Sequence, residues 1–421
     1  MYDWGNSAYN LVITSTIFPA YFIAVTTTKV NGVDSDLVPF LGRSFHNTAL
    51  SNYTLAIAYL VVVFLSPILS SIADLRGNKK RFMQLFCIMG SAACCGLFFF
   101  KSDTLGLGLA CFALAAIGYC GSIVFYNAYL PEIATEAEQD KVSAKGFAYG
   151  YIGSVLLQLI CFTFFFFPGW YGMAKDDGLA ARISFLLVGL WWIGFALIPF
   201  SKLPKSTPRA QATDHHILSN GFHELKKVAA QIGRMPVLKL YLVAFFLYSM
   251  GVQTVMLAAT NFGVKLLKMP TDQLILVILI IQLVAIAGAY LMAKLSSMIG
   301  NLSVLLLVVC VWIGVCIAAY FTVTSTQFFI LAGVVGLVMG GVQSLSRSTY
   351  AKLMPVTADN TSFFSFYDVT EKLAIVIGMF SFAFIEDMTN SMRNSILVLI
   401  VFFAAGALVL YLARRKQMMI V

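Results

Sequence analysis

FFSFYDVTEKLAIVIG, residues 363–378, is an apolar run interrupted by Asp368, Glu371 and Lys372. GLVMGGVQSLSRSTY, residues 336–350, repeats the pattern with Gln343, Ser346 and Arg347. A charge at the centre of a bilayer costs about 2.5–3.5 kcal/mol on insertion scales. Charges kept there imply a polar, water-accessible cavity inside a helical membrane protein, where solutes are handled. The whole chain has the matching composition, with 60% hydrophobic and only 11% charged residues. Soluble domains carry about 25% charged residues, so this is expected to be an all-α integral membrane protein. The apolar stretches are continuous rather than alternating, which argues against an outer-membrane barrel.

A spanning helix needs about 20 apolar residues. Twelve candidate spans follow, at 3–28, 50–73, 82–100, 105–131, 144–167, 180–200, 237–262, 272–295, 302–321, 327–351, 363–385 and 393–413. No cleavable signal peptide is expected ahead of the first. The net charge of +9 fits a positive-inside pattern rather than nucleic-acid binding. With both termini inside, about 18 Lys and Arg lie on the cytoplasmic side and about 8 outside, while the acids divide evenly. The eight cysteines fall in apolar helices without metal-ligand spacing, so they read as small buried hydrophobes. Asn52-Tyr53-Thr54 matches a glycosylation acceptor, a pattern short enough to arise by chance.

SKLPKSTPRAQATDHHILSNGFHELKKVAAQIGRMP, residues 201–236, is polar and holds three prolines. It reads as a cytoplasmic linker with one amphipathic helix near Gly221–Gln231, separating six spans (1–200) from six (237–421). His215, His216 and His223 within it lack a carboxylate or cysteine frame and read as solvated. No metal site, cofactor or phosphate-binding loop is expected. The halves repeat. Gly77-Asn78 recurs as Gly300-Asn301, 223 residues on, and Pro131 as Pro355, 224 residues on. Transporters are often built from such repeats. Gly146 and Gly150, and Gly336 and Gly340, have the spacing that lets helix backbones approach. Pro19 and Pro67 fall inside spans and are expected to kink them.

Several polar groups are candidates for solute handling. Asp3, Asn6, Ser7, Asn10 and Thr14 share one face of a regular first helix, and such a stripe belongs inside the protein. Shallow hydration of Asp3 is the alternative. Tyr126 and Asn127 close the fourth span. Ser249 and Gln253 share a face of the seventh, with helix–helix hydrogen bonding as the competing role. Thr260 is also polar there. Gln343, Arg347 and Tyr350 share a face of the tenth. Asp368, Glu371 and Lys372 project to one side of the eleventh, beside Tyr367. Asp368 and Lys372 are spaced for an intrahelical pair, leaving Glu371 to reach Arg347. These charges either bind a solute and carry a proton, or form an ion-pair network between helices. Two carboxylates this close resist ionising together, which suits proton coupling.

The loop Ser70–Arg81 resembles the cytoplasmic signature of the major facilitator superfamily, with Asp74, Arg76, Gly77 and Lys79 as gating candidates. Gly77 permits a tight turn, and Asp74 can pair with a cation or cap a neighbouring helix. The match is partial, because Ser70 and Leu75 replace a glycine and a cation. The second copy, Lys294–Asn301, has Ser297 in place of the acid, which leaves its latch role in doubt.

DWGNSAY (3–9), FYNAYLPEIAT (125–135), SAKGFAYGYIGS (143–154), GLVMGGVQSLSRSTYAKLMP (336–355) and FFSFYDVTEKLAIVIG (363–378) together resemble the autophagy-linked vacuolar amino-acid effluxer-like family and its bacterial "unknown major facilitator" members. The resemblance implies twelve helices in two pseudo-repeated six-helix bundles and alternating access. It also implies export of neutral amino acids by fungal members, and it places family charges on Asp3, Arg347, Asp368, Glu371 and Lys372. Ser249-Met250 stands where some relatives have an acid.

The expected function is therefore a secondary transporter of a small organic solute, of the neutral amino-acid class by resemblance. It is expected to be coupled to protons, monomeric, and set in a bacterial cytoplasmic membrane. A non-transporting scaffold or solute sensor is the alternative. A lipid-acting enzyme would need a nucleophile–base pair or metal frame that the sequence does not supply.

Overall fold

The computed structural model describes residues 1–30, 33–174, 178–204 and 217–419. Long helices carry nearly all of it because, in lipid, a helix satisfies its own backbone hydrogen bonds. We number them α1 (Tyr2–Thr26), α2 (Asn47–Arg76), α3 (Lys79–Gly96), α4 (Leu105–Asn127), α5 (Gln139–Phe166), α6 (Leu179–Lys202), α7 (Ile217–Arg234), α8 (Pro236–Lys265), α9 (Thr271–Ile299), α10 (Asn301–Phe321), α11 (Ser325–Leu353), α12 (Asn360–Thr389) and α13 (Met392–Met418). Among the described residues, eleven helices are long and apolar enough to cross a membrane. The remaining expected span, 363–385, is α12. It has 30 residues but falls outside that set because Asp368, Glu371 and Lys372 sit within it. The architecture is that of an all-α integral membrane protein. The expected linker is described only in part: 205–216 with His215 and His216, and the side chains of His223 and Thr260, lie outside the described residues.

By internal packing the chain forms two compact units. One comprises Met1–Leu65, Lys79–Ile123 and Ile152–Ser206, and the other Ser66–Asn78, Val124–Tyr151 and Thr207–Val421. Helices α2, α4 and α5 thus each contribute one end to the second unit.

Within the first unit, α1 is not a regular helix. Tyr9–Ile17 is π-helical between two α segments, with the Phe18 N–H donating to the Ile13 carbonyl. Pro19 opens the following segment, and its missing donor and ring bulk favour a widened turn before it. Ser15 and Thr16 hydroxyls donate back to the Asn10 and Leu11 carbonyls, both at 2.8 Å. The wider turn breaks the expected stripe: Asn6 is fully buried and Asp3 nearly so, whereas Asn10 is exposed. Between α1 and α2 the chain makes two antiparallel hairpins, β1 (Thr28–Val30) with β2 (Val33–Ser35) and β3 (Leu37–Phe40) with β4 (Arg43–His46). Leu41 and Gly42, both at positive φ, turn the second, as tight hairpin loops require.

In the second unit α9 and α11 touch backbone to backbone. A Cβ at Gly336 would lie 2.6 Å from the Ile281 carbonyl oxygen, and one at Gly340 would overlap that of Ala285. The spacing of these two glycines therefore serves close packing. Of the eight cysteines, all free, six are buried, but Cys310 is exposed.

Candidate functional site

Arg347 lies in the last third of α11 and is 5% exposed. Its guanidinium fork is directed at the 124–151 segment. Nε donates to Ser143 Oγ at 3.0 Å, Nη2 to the Ser143 carbonyl at 3.0 Å and Nη1 to Asn127 Oδ1 at 3.2 Å. Phe147 covers one face, with its ring centroid 4.5 Å from Cζ, and Tyr126 lies 5.7 Å away. Ser143 Oγ in turn donates to the Ser344 carbonyl, and Tyr151 donates to Gln343 Oε1, both at 2.7 Å. The third polar residue on this face, Tyr350, points elsewhere and donates to the Phe363 carbonyl.

A second polar cluster joins α8 to α12. Lys372 Nζ stands 2.9 Å from Glu371 Oε2 and 3.3 Å from Asp368 Oδ1. The i,i+4 pair with Asp368 is the one the spacing predicts. Gln253 Nε2 donates to Glu371 Oε1 at 3.1 Å. Glu371 therefore does not reach Arg347, as the sequence suggested: its two oxygens are taken by Gln253 and Lys372, and Arg347 turns to α4 and α5. Asp368 is 2% exposed, and its Oδ2 has no hydrogen-bond partner among the described residues. Tyr367 stacks on Phe245 at 4.3 Å. The hydroxyl of Tyr248 meets Ser346 Oγ, and Tyr241 donates to the Ser346 carbonyl, both at 2.7 Å.

At the Asp74 end of this unit, Gly77 takes φ +64 and closes α2, with the Asn78 N–H returning to the Ala73 carbonyl. That turn presents Asp74 to the start of α12. The N-cap of α12, Asp359, makes no side-chain cap. Asp74 replaces it, accepting from the N–H groups of Thr361 (3.2 Å) and Ser362 (2.7 Å) and from Ser362 Oγ (2.8 Å). A carboxylate there satisfies open donors and faces the positive end of the helix dipole. Arg76 is exposed. Lys79 is buried and belongs to the first unit.

Tyr126, Asn127, Gln253, Gln343, Arg347, Tyr367, Asp368, Glu371 and Lys372 thus all lie in the second unit, in two clusters. Asp3, Asn6 and Asn10 lie in the first. Sequence reasoning missed Ser143 and Tyr151, whose only signal was their place in the polar, glycine-containing start of the fifth span. It also missed Asp140. That carboxylate accepts from Lys352 Nζ (2.6 Å), Ser296 Oγ (2.8 Å) and Asn301 Nδ2 (2.7 Å).

The family described as "Vacuole effluxer Atg22 like" matches residues 1–419. A relative in Bacillus subtilis, an uncharacterized MFS-type transporter, YxiO, is 32% identical over 97% of this chain and 92% of its own length. Autophagy-related protein 22 of Eremothecium gossypii is 24% identical over 96% of this chain and 88% of its own. Among solved structures, the E. coli fucose:proton symporter FucP superposes with TM-score 0.68 at 13% identity, covering 98% of this chain and 96% of that one. The human organic anion transporter MFSD10 does so with TM-score 0.70 at 13% identity, covering 97% and 96%. The chain accordingly belongs to the vacuole effluxer Atg22-like family and has the fold of the major facilitator superfamily.

Proposed function

We propose that this protein is a secondary transporter that moves a neutral amino acid across a bacterial cytoplasmic membrane by alternating access, coupled to protons. The observation that carries the reading is Asp368. A carboxylate 2% exposed within α12, the expected eleventh span, with Oδ2 unpartnered among the described residues, is costly unless a solute or proton engages it during the working cycle. Glu371 is the more open acid of the pair, with its side chain 24% exposed, and it shares Lys372 with Asp368. Proton arrival at one acid frees the lysine for the other, which is the elementary step of coupling. Gln253, Gln343, Asn127, Tyr126, Tyr367 and Arg347 are assigned to solute contact, and Arg347 also holds Asn127 through its Oδ1. Asp3, Asn6 and Asn10 are assigned to solute contact on their side-chain chemistry.

The halves 1–200 and 237–421 are the moving parts, the termini are cytoplasmic, and the working form is a monomer. The description of the family as effluxers supports transport of a metabolite, and the Bacillus relative supports a bacterial membrane. A thermal-shift screen of the purified protein against amino acids, peptides, sugars and organic acids tests the class. A neutral amino acid at 100 times its dissociation constant raises stability by about 2.7 kcal/mol. A shift confined to sugars or organic acids contradicts the assignment.

A further inference from the structure

Lys265, Lys352, Lys372 and Arg393 each hold a carboxylate or a backbone carbonyl. A group of cations in the second unit behaves differently. Lys226 and Arg234 lie on α7, Lys239 in the first turn of α8, and Arg414, Arg415 and Lys416 near the end of α13. Arg414 is partly exposed and the others are exposed. None of them has a hydrogen-bond or ion-pair partner among the described residues.

The fold sets these charges side by side. α7 packs on α8 and α12, and its Val228 and Ile232 are buried in the same core as Leu238 and Leu410. Lys226 and Arg234 are left on its outer face. Met235 alone separates α7 from α8, with its N–H donating to the Ile232 carbonyl and its carbonyl accepting from the Lys239 N–H. α13 runs antiparallel against α8. A Cβ at Gly251 would lie 2.5 Å from Phe403 Cζ, and one at Gly406 would lie 3.1 Å from Tyr248 Cβ. At equal rise along both helices, the same register brings Lys239 level with Arg415.

Little negative charge answers this group. α8 and α13 contain no acidic residue, and α7 contains only Glu224. Like charges held this close repel one another until an anion gathers among them. Basic clusters at the end of a spanning helix or on an amphipathic helix attract anionic lipid headgroups. The neighbouring apolar surface favours a lipid over a soluble anion. Just before its cations, α13 exposes Leu408, Tyr411 and Leu412, at 61%, 49% and 42%. An amphiphile with a phosphate head and apolar tails meets both surfaces, whereas free phosphate meets one.

We infer that α7 and the adjoining ends of α8 and α13 form a binding site for an anionic phospholipid. The phosphodiester lies among Arg234, Lys239 and Arg415, and the acyl chains run along Leu408 and Leu412. The site is separate from the solute-handling clusters and does not depend on the transport reading.

Native mass spectrometry of the full-length protein in detergent, titrated with dioleoyl phosphatidylglycerol or dioleoyl phosphatidylcholine, reads the site. The tails are identical, so a difference reports the charge of the head. Phosphatidylglycerol is expected to bind about tenfold more tightly. Lys239→Gln/Arg415→Gln should weaken phosphatidylglycerol about tenfold and leave phosphatidylcholine unchanged. Lys226→Gln/Arg234→Gln should act likewise, and serves if the first pair does not fold. Lys265→Gln/Lys268→Gln removes the same charge at and just beyond the opposite end of α8, and should leave both lipids unaffected. Equal affinity for the two lipids, or an equal loss from all three pairs, overturns the proposal. Displacement of phosphatidylglycerol by millimolar inorganic phosphate also overturns it, because the ligand would then be a soluble anion.

Discussion

Lys372→Met is expected to destabilise the protein by about 3–5 kcal/mol in unfolding of the detergent-solubilised chain. Methionine keeps most of the side-chain volume, so the loss is not one of packing. Lys372 is held between Asp368 and Glu371, with its side chain 7% and that of Asp368 2% exposed. Removing the ammonium leaves two acids within one turn and no cation between them. One must take a proton or bear its charge uncompensated, and either costs free energy. The double change Asp368→Asn/Lys372→Met removes a charge of each sign. It should cost about 1 kcal/mol less than the lysine change alone, because the two residues are coupled. Strictly additive losses would show that Lys372 does not hold Asp368.

Arg347→Ala is the second large effect, a loss of about 3 kcal/mol. Three guanidinium nitrogens serve two residues in a fixed fork, and the substitution strands the oxygens of Ser143 and Asn127 that receive them. Arg347→Lys distinguishes geometry from charge. An ammonium is a point donor and cannot span Ser143 Oγ, the Ser143 carbonyl and Asn127 Oδ1 together, nor stack flat on Phe147. Lysine should therefore recover less than half of the alanine loss. Full recovery would mean that only the positive charge matters at this position.

What could be read from the chain beforehand was whatever is local along a helix. The apolar runs announce spans, and the 368–372 spacing announces the Asp368–Lys372 pair, because both depend only on helical period. Gly77 and Gly300 announce turns because only glycine takes positive φ without strain. The partners of Arg347 were hidden, since Asn127 and Ser143 lie more than 200 positions away and nothing in the period of α11 points to them. The nearer acid, Glu371, was the natural guess, and Gln253 already occupies it. Asp140 escaped notice because it sits in a polar loop-to-helix junction where an acid needs no explanation. Its importance comes from Lys352 and Asn301, which the fold brings to it. The π segment of α1 was equally hidden. Pro19 was visible, but proline can be accommodated by a kink or by a widened turn, and the choice depends on hydroxyls such as Ser15 and Thr16 finding free carbonyls.

The central claim is that Asp368 and Glu371 of α12 couple solute movement to protons. It is tested by pH-gradient-driven uptake of neutral amino acids into liposomes holding the purified protein, compared with Glu371→Gln. The account predicts that the unaltered protein concentrates at least one of them, and that Glu371→Gln folds normally yet concentrates none while still exchanging solute across the membrane. Equal gradient-driven accumulation by the two proteins would contradict it.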